Sequence, residues 1–145
     1  MGPLAANTAC RVSLIAVPLV DSAWPFITYG LEHACLKTGG EITSDYLWRL
    51  CRSGEAYLFV VADGETVIGA AVLRFEAWTS GRKLRLMALY GERMADWGEQ
   101  MLNQIEQIAK VGGATSIVAE GRLGWARRYP KARVLRKTYE MDLRT

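Results

Sequence analysis

The chain predicts an α/β (α+β) domain built on one mixed, mostly antiparallel sheet with helices on both faces. Three observations carry that expectation. Three strand-like runs, 56–62, 66–78 and 83–90, follow one another with little but turn residues between them, so they should pair antiparallel. The third run leads through Gly91-Glu92-Arg93 into an amphipathic helix, with Trp97, Met101, Ile105 and Ile108 on one stripe and Leu102 and Ala109 beside it. A further apolar run, 114–119, follows that helix, and a strand–helix–strand unit should form a right-handed parallel crossover.

In chain order, residues 1–10 are small and uncommitted and read as an N-terminal arm, with a single domain over 11–145. Residues 11–19 read as a first strand ending at Pro18. Asp21 or Ser22 can cap a helix whose first turn tolerates Pro25 and which runs through Phe26, Ile27, Leu31 and Ala34 to Thr38-Gly39-Gly40. Thr43 or Ser44 caps a shorter helix carrying Tyr46, Leu47 and Leu50, closed by Ser53-Gly54. The run 56–62 is a buried strand, Asp63-Gly64 a hairpin signal, and 66–78 the returning strand. Thr79-Ser80-Gly81 turns the chain into 83–90, and Gly112-Gly113 stops the following helix. Residues 121–129 read as a short helix ending before Pro130, and 134–143 as a last strand. The expected order is β-α-α-β-β-β-α-β-α-β.

A chain of 145 residues with half its residues apolar can bury roughly 70% of its unfolded surface as one domain. The longest apolar run, 14–20, contains Pro18 and is too short to span a bilayer, so no membrane association is expected. Residues 1–9 carry no basic side chain, which speaks against a signal peptide. Cys10, Cys35 and Cys51 are odd in number and form no C-x-x-C pair, and His33 is the single histidine. No disulfide framework or metal site is expected, and a reducing, cytoplasmic setting is. The net charge of +3 is uneven: residues 121–145 hold eight Lys/Arg against two acids, the remainder ten against thirteen. The basic end is either a solvated face or a contact for phosphates, nucleic acid or an acidic partner. No recognition-helix or RNA-binding motif accompanies it.

The element order resembles the GNAT superfamily of acyl-coenzyme A-dependent N-acetyltransferases over nearly the whole chain. In that family a Gln/Arg-x-x-Gly-x-Gly/Ala turn between the fourth strand and the next helix grips the pyrophosphate of acetyl-coenzyme A. Arg93-Met94-Ala95-Asp96-Trp97-Gly98 is similar to it at its first and last positions, with Asp96 where the middle glycine belongs. The resemblance implies a cofactor site at Leu89, Tyr90, Arg93, Met94, Ala95, Asp96, Trp97 and Gly98. It also implies an acid on the last helix, and Tyr129, followed two residues later by Lys131, is in register with that tyrosine. Arg122, Trp125 and Arg133-Val134 depart from the family's asparagine, alanine and Gly-Phe.

Two readings of Asp96 follow. With Glu99 it has the spacing of a capping box and would occupy the helix's free N–H groups itself. A carboxylate about 5 Å from a pyrophosphate charge costs roughly 3 kcal/mol at an effective dielectric near 20. If the helix instead starts near Arg93, Asp96 can face solvent and Arg93 can assist a phosphate. For the base that takes the amine proton, the fourth strand offers no carboxylate, leaving Glu76, Glu92 and Glu120, the last at a strand's C-terminal end. Each also has a plain reading as a surface carboxylate, and Tyr129 and Trp97 as packing residues.

Gly121-Arg122-Leu123-Gly124-Trp125-Ala126-Arg127 looks like a Gly-Arg-x-Gly-Trp-x-Arg stretch of small GNAT-like proteins of tailed bacteriophages. That resemblance implies a virion or assembly component without catalysis, in the virion or host cytoplasm. Its partners would be phage structural proteins, nucleic acid, or a second copy paired through the C-terminal strand. The enzymatic alternative is an acetyl-CoA-dependent N-acetyltransferase whose amine substrate enters between the first two helices and the sheet.

Overall fold

The computed structural model describes residues 10–120 and 131–143. In order these form β1 (Cys10–Ile15), a 3-10 turn (Val17–Leu19), α1 (Val20–Ala23), a second 3-10 turn (Trp24–Phe26), α2 (Thr28–Lys37) and α3 (Ser44–Arg52). There follow β2 (Tyr57–Asp63), β3 (Thr66–Trp78), β4 (Gly81–Gly91), α4 (Met94–Val111) and β5 (Ser116–Ala119). The five strands lie side by side in sequence order, antiparallel from β1 to β4, with β5 parallel to β4. The mixed sheet and the parallel crossover are those the sequence predicts. Among the described residues no helix is long and apolar enough to cross a membrane.

Helices cover both faces. On one, Trp24, Ile27, Leu31, Cys35, Leu47, Leu50 and Cys51 pack against Leu58, Ala70, Val72 and Ala88. On the other, Trp97, Met101, Ile105 and Ala109 of α4 pack against Phe59, Val61, Ala71, Leu73 and Leu84. Side chains alternate between faces along a strand, so the two cores read the same strands one residue out of step.

Four boundaries differ from the sequence expectation. Cys10 belongs to the sheet rather than to an arm, paired with Asp63 and buried. β1 stops at Ile15 instead of Leu19, because Pro18 cannot donate to a ladder and starts a 3-10 turn. Asp21 and Ser22 do not cap one continuous helix: α1 is a single turn, Pro25 sits in the second 3-10 turn, and α2 restarts at Thr28. The Asp21 carboxylate instead accepts hydrogen bonds from Trp48 Nε1 at 2.9 Å and Arg52 Nε at 3.2 Å. Lastly, no strand forms over 134–143, where all residues are exposed and no described strand runs alongside to share a ladder. The expected helix at 121–129, with Tyr129 and the phage-like stretch, lies outside the described residues. Thr43 does cap α3, its Oγ1 accepting from the Tyr46 N–H at 3.1 Å.

Candidate functional site

β4 changes character half-way along. Lys83, Leu84, Arg85 and Leu86 pair with Ser116, Ile117, Val118 and Ala119 of β5, and there the parallel ladder ends. On the β3 side the register slips at the same place: Leu73 faces Leu86 while Val72 faces Ala88, so Met87 is the extra residue of a bulge. A bulge sharpens the local twist of its strand. From Met87 to Gly91, β4 is paired with β3 alone among the described residues; the space along its other backbone edge, beyond the end of β5 at Ala119, is the cleft referred to below.

The cleft ends at the start of α4. Trp97, 1% exposed, wedges its indole under the end of β4, and its Nε1 donates to the Glu92 carbonyl at 2.8 Å. The fit depends on Gly91 and Gly69: a Cβ on Gly91 would lie 2.4 Å from the indole, and one on Gly69 2.8 Å from the Tyr90 carbonyl. Arg93 precedes the helix in the left-handed conformation, φ 57°, ψ 41°, the one such non-glycine residue among those described. That conformation costs an L-residue about 1 kcal/mol. The side chain holds it there. Nη1 donates to Asp63 at 2.6 Å, Nε to Asp96 at 3.0 Å and Nη2 to the Cys10 thiol at 3.3 Å. Its hydrogen bonds to Asp63 and Asp96 push the Arg93 pKa further up, so its charge is permanent.

Asp96 therefore does not cap α4. The helix begins at Met94, no side chain caps it, and the Asp96 carboxylate pairs with Arg93. The backbone N–H groups of the first turn are left without a side-chain partner, at the positive end of an eighteen-residue helix. The helix does start near Arg93, as the second reading of Asp96 requires, but the guanidinium faces Asp63 and Cys10 at the ends of β1 and β2.

The residues expected at a cofactor site divide accordingly. Leu89 and Met94 pack into the α4-side core, and Trp97 and Gly98 are buried. Ala95 is exposed, and Arg93 and Asp96 pair with each other. Tyr90 lies on the opposite face, half-buried, its ring so close to α2 that a Cβ on Gly30 would sit 2.3 Å from it. Burial first, and the Glu92 charge second, push the Tyr90 phenol up, so it keeps its proton at neutral pH.

Glu76 and Glu120, far apart in sequence, meet at one guanidinium at the foot of the cleft. Arg85 Nε bonds Glu76 Oε2 at 2.8 Å and Nη1 lies 3.5 Å from Glu120 Oε1. Glu76 also accepts from Trp78 Nε1 at 3.1 Å and faces Arg74 at 3.5 Å. Burial alone would raise the Glu76 pKa, but the hydrogen bonds from Arg85 and Trp78 and the charges of Arg85 and Arg74 outweigh it and lower it. Sequence reasoning missed Arg85, the partner of both acids. Its signal was a charge set between apolar residues on a strand.

Between the first helices and the sheet, where the amine is expected to enter, Ile27, Leu31, Leu47 and Cys51 are fully buried. Burial pushes the Cys51 thiol up to about 12, so it is no nucleophile. Two apolar depressions, of about 270 and 310 Å³, lie by Phe75 and Val111 and by Leu14 and Val20, away from the cleft.

No family model and no curated protein matches the chain. Solved structures do. An aminoglycoside acetyltransferase from an uncultured soil metagenomic sample, in complex with sisomicin, is 13% identical with a TM-score of 0.66, covering 95% of this chain and 99% of that one. A predicted acetyltransferase from Clostridium acetobutylicum, with acetyl-CoA, is 12% identical with a TM-score of 0.67, covering 92% and 96%. A ribosomal-protein-alanine N-acetyltransferase from Brucella melitensis biovar Abortus 2308 is 10% identical with a TM-score of 0.62, covering 92% and 99%. At these identities the likeness is one of architecture, and in architecture this chain has the fold of the GNAT acetyltransferases.

Proposed function

We propose that the chain is an acyl-coenzyme A-dependent N-acyltransferase, acetyl-CoA being the donor and an amine the acceptor. The observation that carries this reading is the open edge of β4 beyond the Met87 bulge, running directly into the uncapped first turn of α4. An amide-bearing arm can hydrogen-bond to a free strand edge, and a pyrophosphate suits the N–H groups at a helix start. Both features fit coenzyme A through backbone groups. Arg93 does not add a cation to them, because Asp63 and Asp96 hold it. When bound, acetyl-CoA supplies an acyl thioester activated toward an amine.

The chain's own groups take the proton roles. Tyr90, still protonated, is a hydrogen-bond donor beside the cleft. Glu120 is the better base of the two acids at its foot. Its contact with Arg85 is long, at 3.5 Å, and its side chain is 42% exposed, whereas Glu76 is tightly held and acidified. Glu120 accepts the proton that the amine loses, directly or through water. Tyr129, in register with the family's acid, remains the second donor. Three unpaired cysteines suit a reducing cytoplasm.

The test is thermal unfolding with acetyl-CoA. Ligand at a hundred times its Kd adds about 2.7 kcal/mol of stability. No shift at millimolar acetyl-CoA defeats the reading. Glu120→Gln should keep the shift and lose most of kcat.

A second reading, a GNAT-fold assembly protein without catalysis, is favoured by one observation: the arginine at the phosphate turn is committed to the protein's own acids. It predicts no acetyl-CoA response and co-purification with virion components.

A further inference from the structure

Polar groups around the sheet are answered unevenly. At the β1 edge, the outward N–H of Val12 donates to Gln100 Oε1 at 3.0 Å, and its carbonyl accepts from Gln104 Nε2 at 3.2 Å. Two glutamines one helical turn apart on α4 thus occupy that edge as a neighbouring strand would. At the start of α4, the charge of Arg93 meets two carboxylates. The outer part of the β3–β4 hairpin, at the foot of the cleft, is different.

There Arg74 stands opposite Arg85 and Glu76 opposite Lys83, so these four side chains and Trp78 share one face. Three cations approach the Trp78 ring: Lys83 Nζ at 5.7 Å from its centroid, Arg136 Cζ at 5.9 Å and Arg85 Cζ at 6.0 Å. Two acids reach the cluster, Glu76 and Glu120, and Arg85 binds both. Lys83 donates to a neutral hydroxyl, that of Thr115. Among the described residues neither Lys83 nor Arg136 forms an ion pair. Four cations thus stand against two acids, and the ten residues after Glu120 hold three more arginines and no acid. Cations crowd one indole only against their own repulsion, and an anion among them relieves it.

Glu120 directly follows β5, and the arginine it shares with Glu76 lies two residues before the Met87 bulge. The acid proposed to take the amine proton and the surplus positive charge therefore flank one guanidinium. The side chains of Arg85 and Glu76 are only 15% and 19% exposed, which leaves a small reachable surface.

We propose, resting on the acyl-transfer reading, that the acceptor is a small amine carrying its own anionic group, a carboxylate or a phosphate. Lys83 and Arg136 bind that group while the amine faces Glu120. The same charges repel a polycationic acceptor and favour the neutral, nucleophilic form of the amine.

The test is calorimetric titration of the full chain with glutamate, O-phosphoethanolamine, ethanolamine and spermidine, then acetyl transfer to each. An anionic amine should bind, and should exceed ethanolamine and spermidine by about tenfold or more in kcat/KM. Which of the two leads tells carboxylate from phosphate. Lys83→Glu with Arg136→Glu should raise KM for the anionic amine about tenfold, with a smaller change in kcat, and lower KM for spermidine. A merely loosened fold would weaken both acceptors alike. A parent that prefers ethanolamine or spermidine, one that answers neither anionic amine, or a charge-reversed variant with unmoved preference overturns this inference. The transferase reading survives those outcomes if acetyl-CoA still raises the unfolding temperature; with no such shift in the parent, both fall.

Discussion

The two halves of β4 are one strand under two regimes. Its first half is flanked on both sides and carries charges that answer one another: Arg85 meets Glu76 and Glu120, and Lys83 Nζ donates to Thr115 Oγ1 at 3.1 Å. Among the described residues its second half has a strand partner on one side only, and it is held from beneath by Trp97, with Tyr90 wedged against α2 above. The first half is stabilised by pairing and the second by packing. A strand can present an open edge to a ligand only if something other than a second ladder holds it flat, and here an indole does.

The sharpest way to break this contrast is Trp97→Ala. Removing a fully buried indole should cost about 3–5 kcal/mol, measured by urea unfolding, and should loosen the second half of β4 in amide exchange before the first. Gly91→Ala attacks the same contact from the strand side. Overpacking there should cost about 1–3 kcal/mol and weaken any acetyl-CoA response, because the strand edge must shift. In the Trp97→Ala background the Gly91→Ala penalty should largely vanish, since the clashing ring is gone. An undiminished penalty would show that the approach of the Ile68 carbonyl, and not the indole, sets the strand's position.

In the first half the effects are electrostatic and smaller. Glu76→Gln should cost about 1 kcal/mol at neutral pH, the pair being partly solvated. Because the folded Glu76 pKa lies below its ordinary 4.5, its contribution is complete above that value and fades as pH falls through the lower one. The gap between the parent and Glu76→Gln should thus be flat near neutrality and close in acid. Smallest of all, Cys51 should resist alkylation in the folded protein at pH 8. Stability should decline only above about pH 9, where the unfolded thiol ionises and the folded one, near 12, does not.

Much of this was legible in the chain. The ranges 66–78 and 83–90, the Thr43 cap and the stripe from Trp97 to Ile108 follow from local chemistry: alternation, turn residues and helical spacing. The broken first helix was less so, because a proline near a helix start is compatible with both one helix and two pieces. At the candidate site the junction of strand and helix was legible, and the pairing within it was not. Asp96 has the sequence of a cap, but a cap requires the helix to begin beside it, and Arg93, by taking a left-handed conformation three residues earlier, moves the start. The partners that hold Arg93 there, Asp63 and Cys10, are 30 and 83 residues away. The bulge at Met87 is likewise a property of two strands at once, invisible in either alone. Glu76 and Glu120 were identifiable as acids near the sheet, but not as sharers of one arginine.

The glutamines that α4 lays along β1 have a consequence for how the molecule can assemble. Growth by strand addition without end needs a donor and an acceptor edge at opposite sides of each subunit, so that every arrival exposes a fresh seat. Gln100 and Gln104 remove one seat. Among the described residues the seats left are the outer side of β5 and the free side of β4 beyond Met87, so strand addition cannot run through both ends of the sheet.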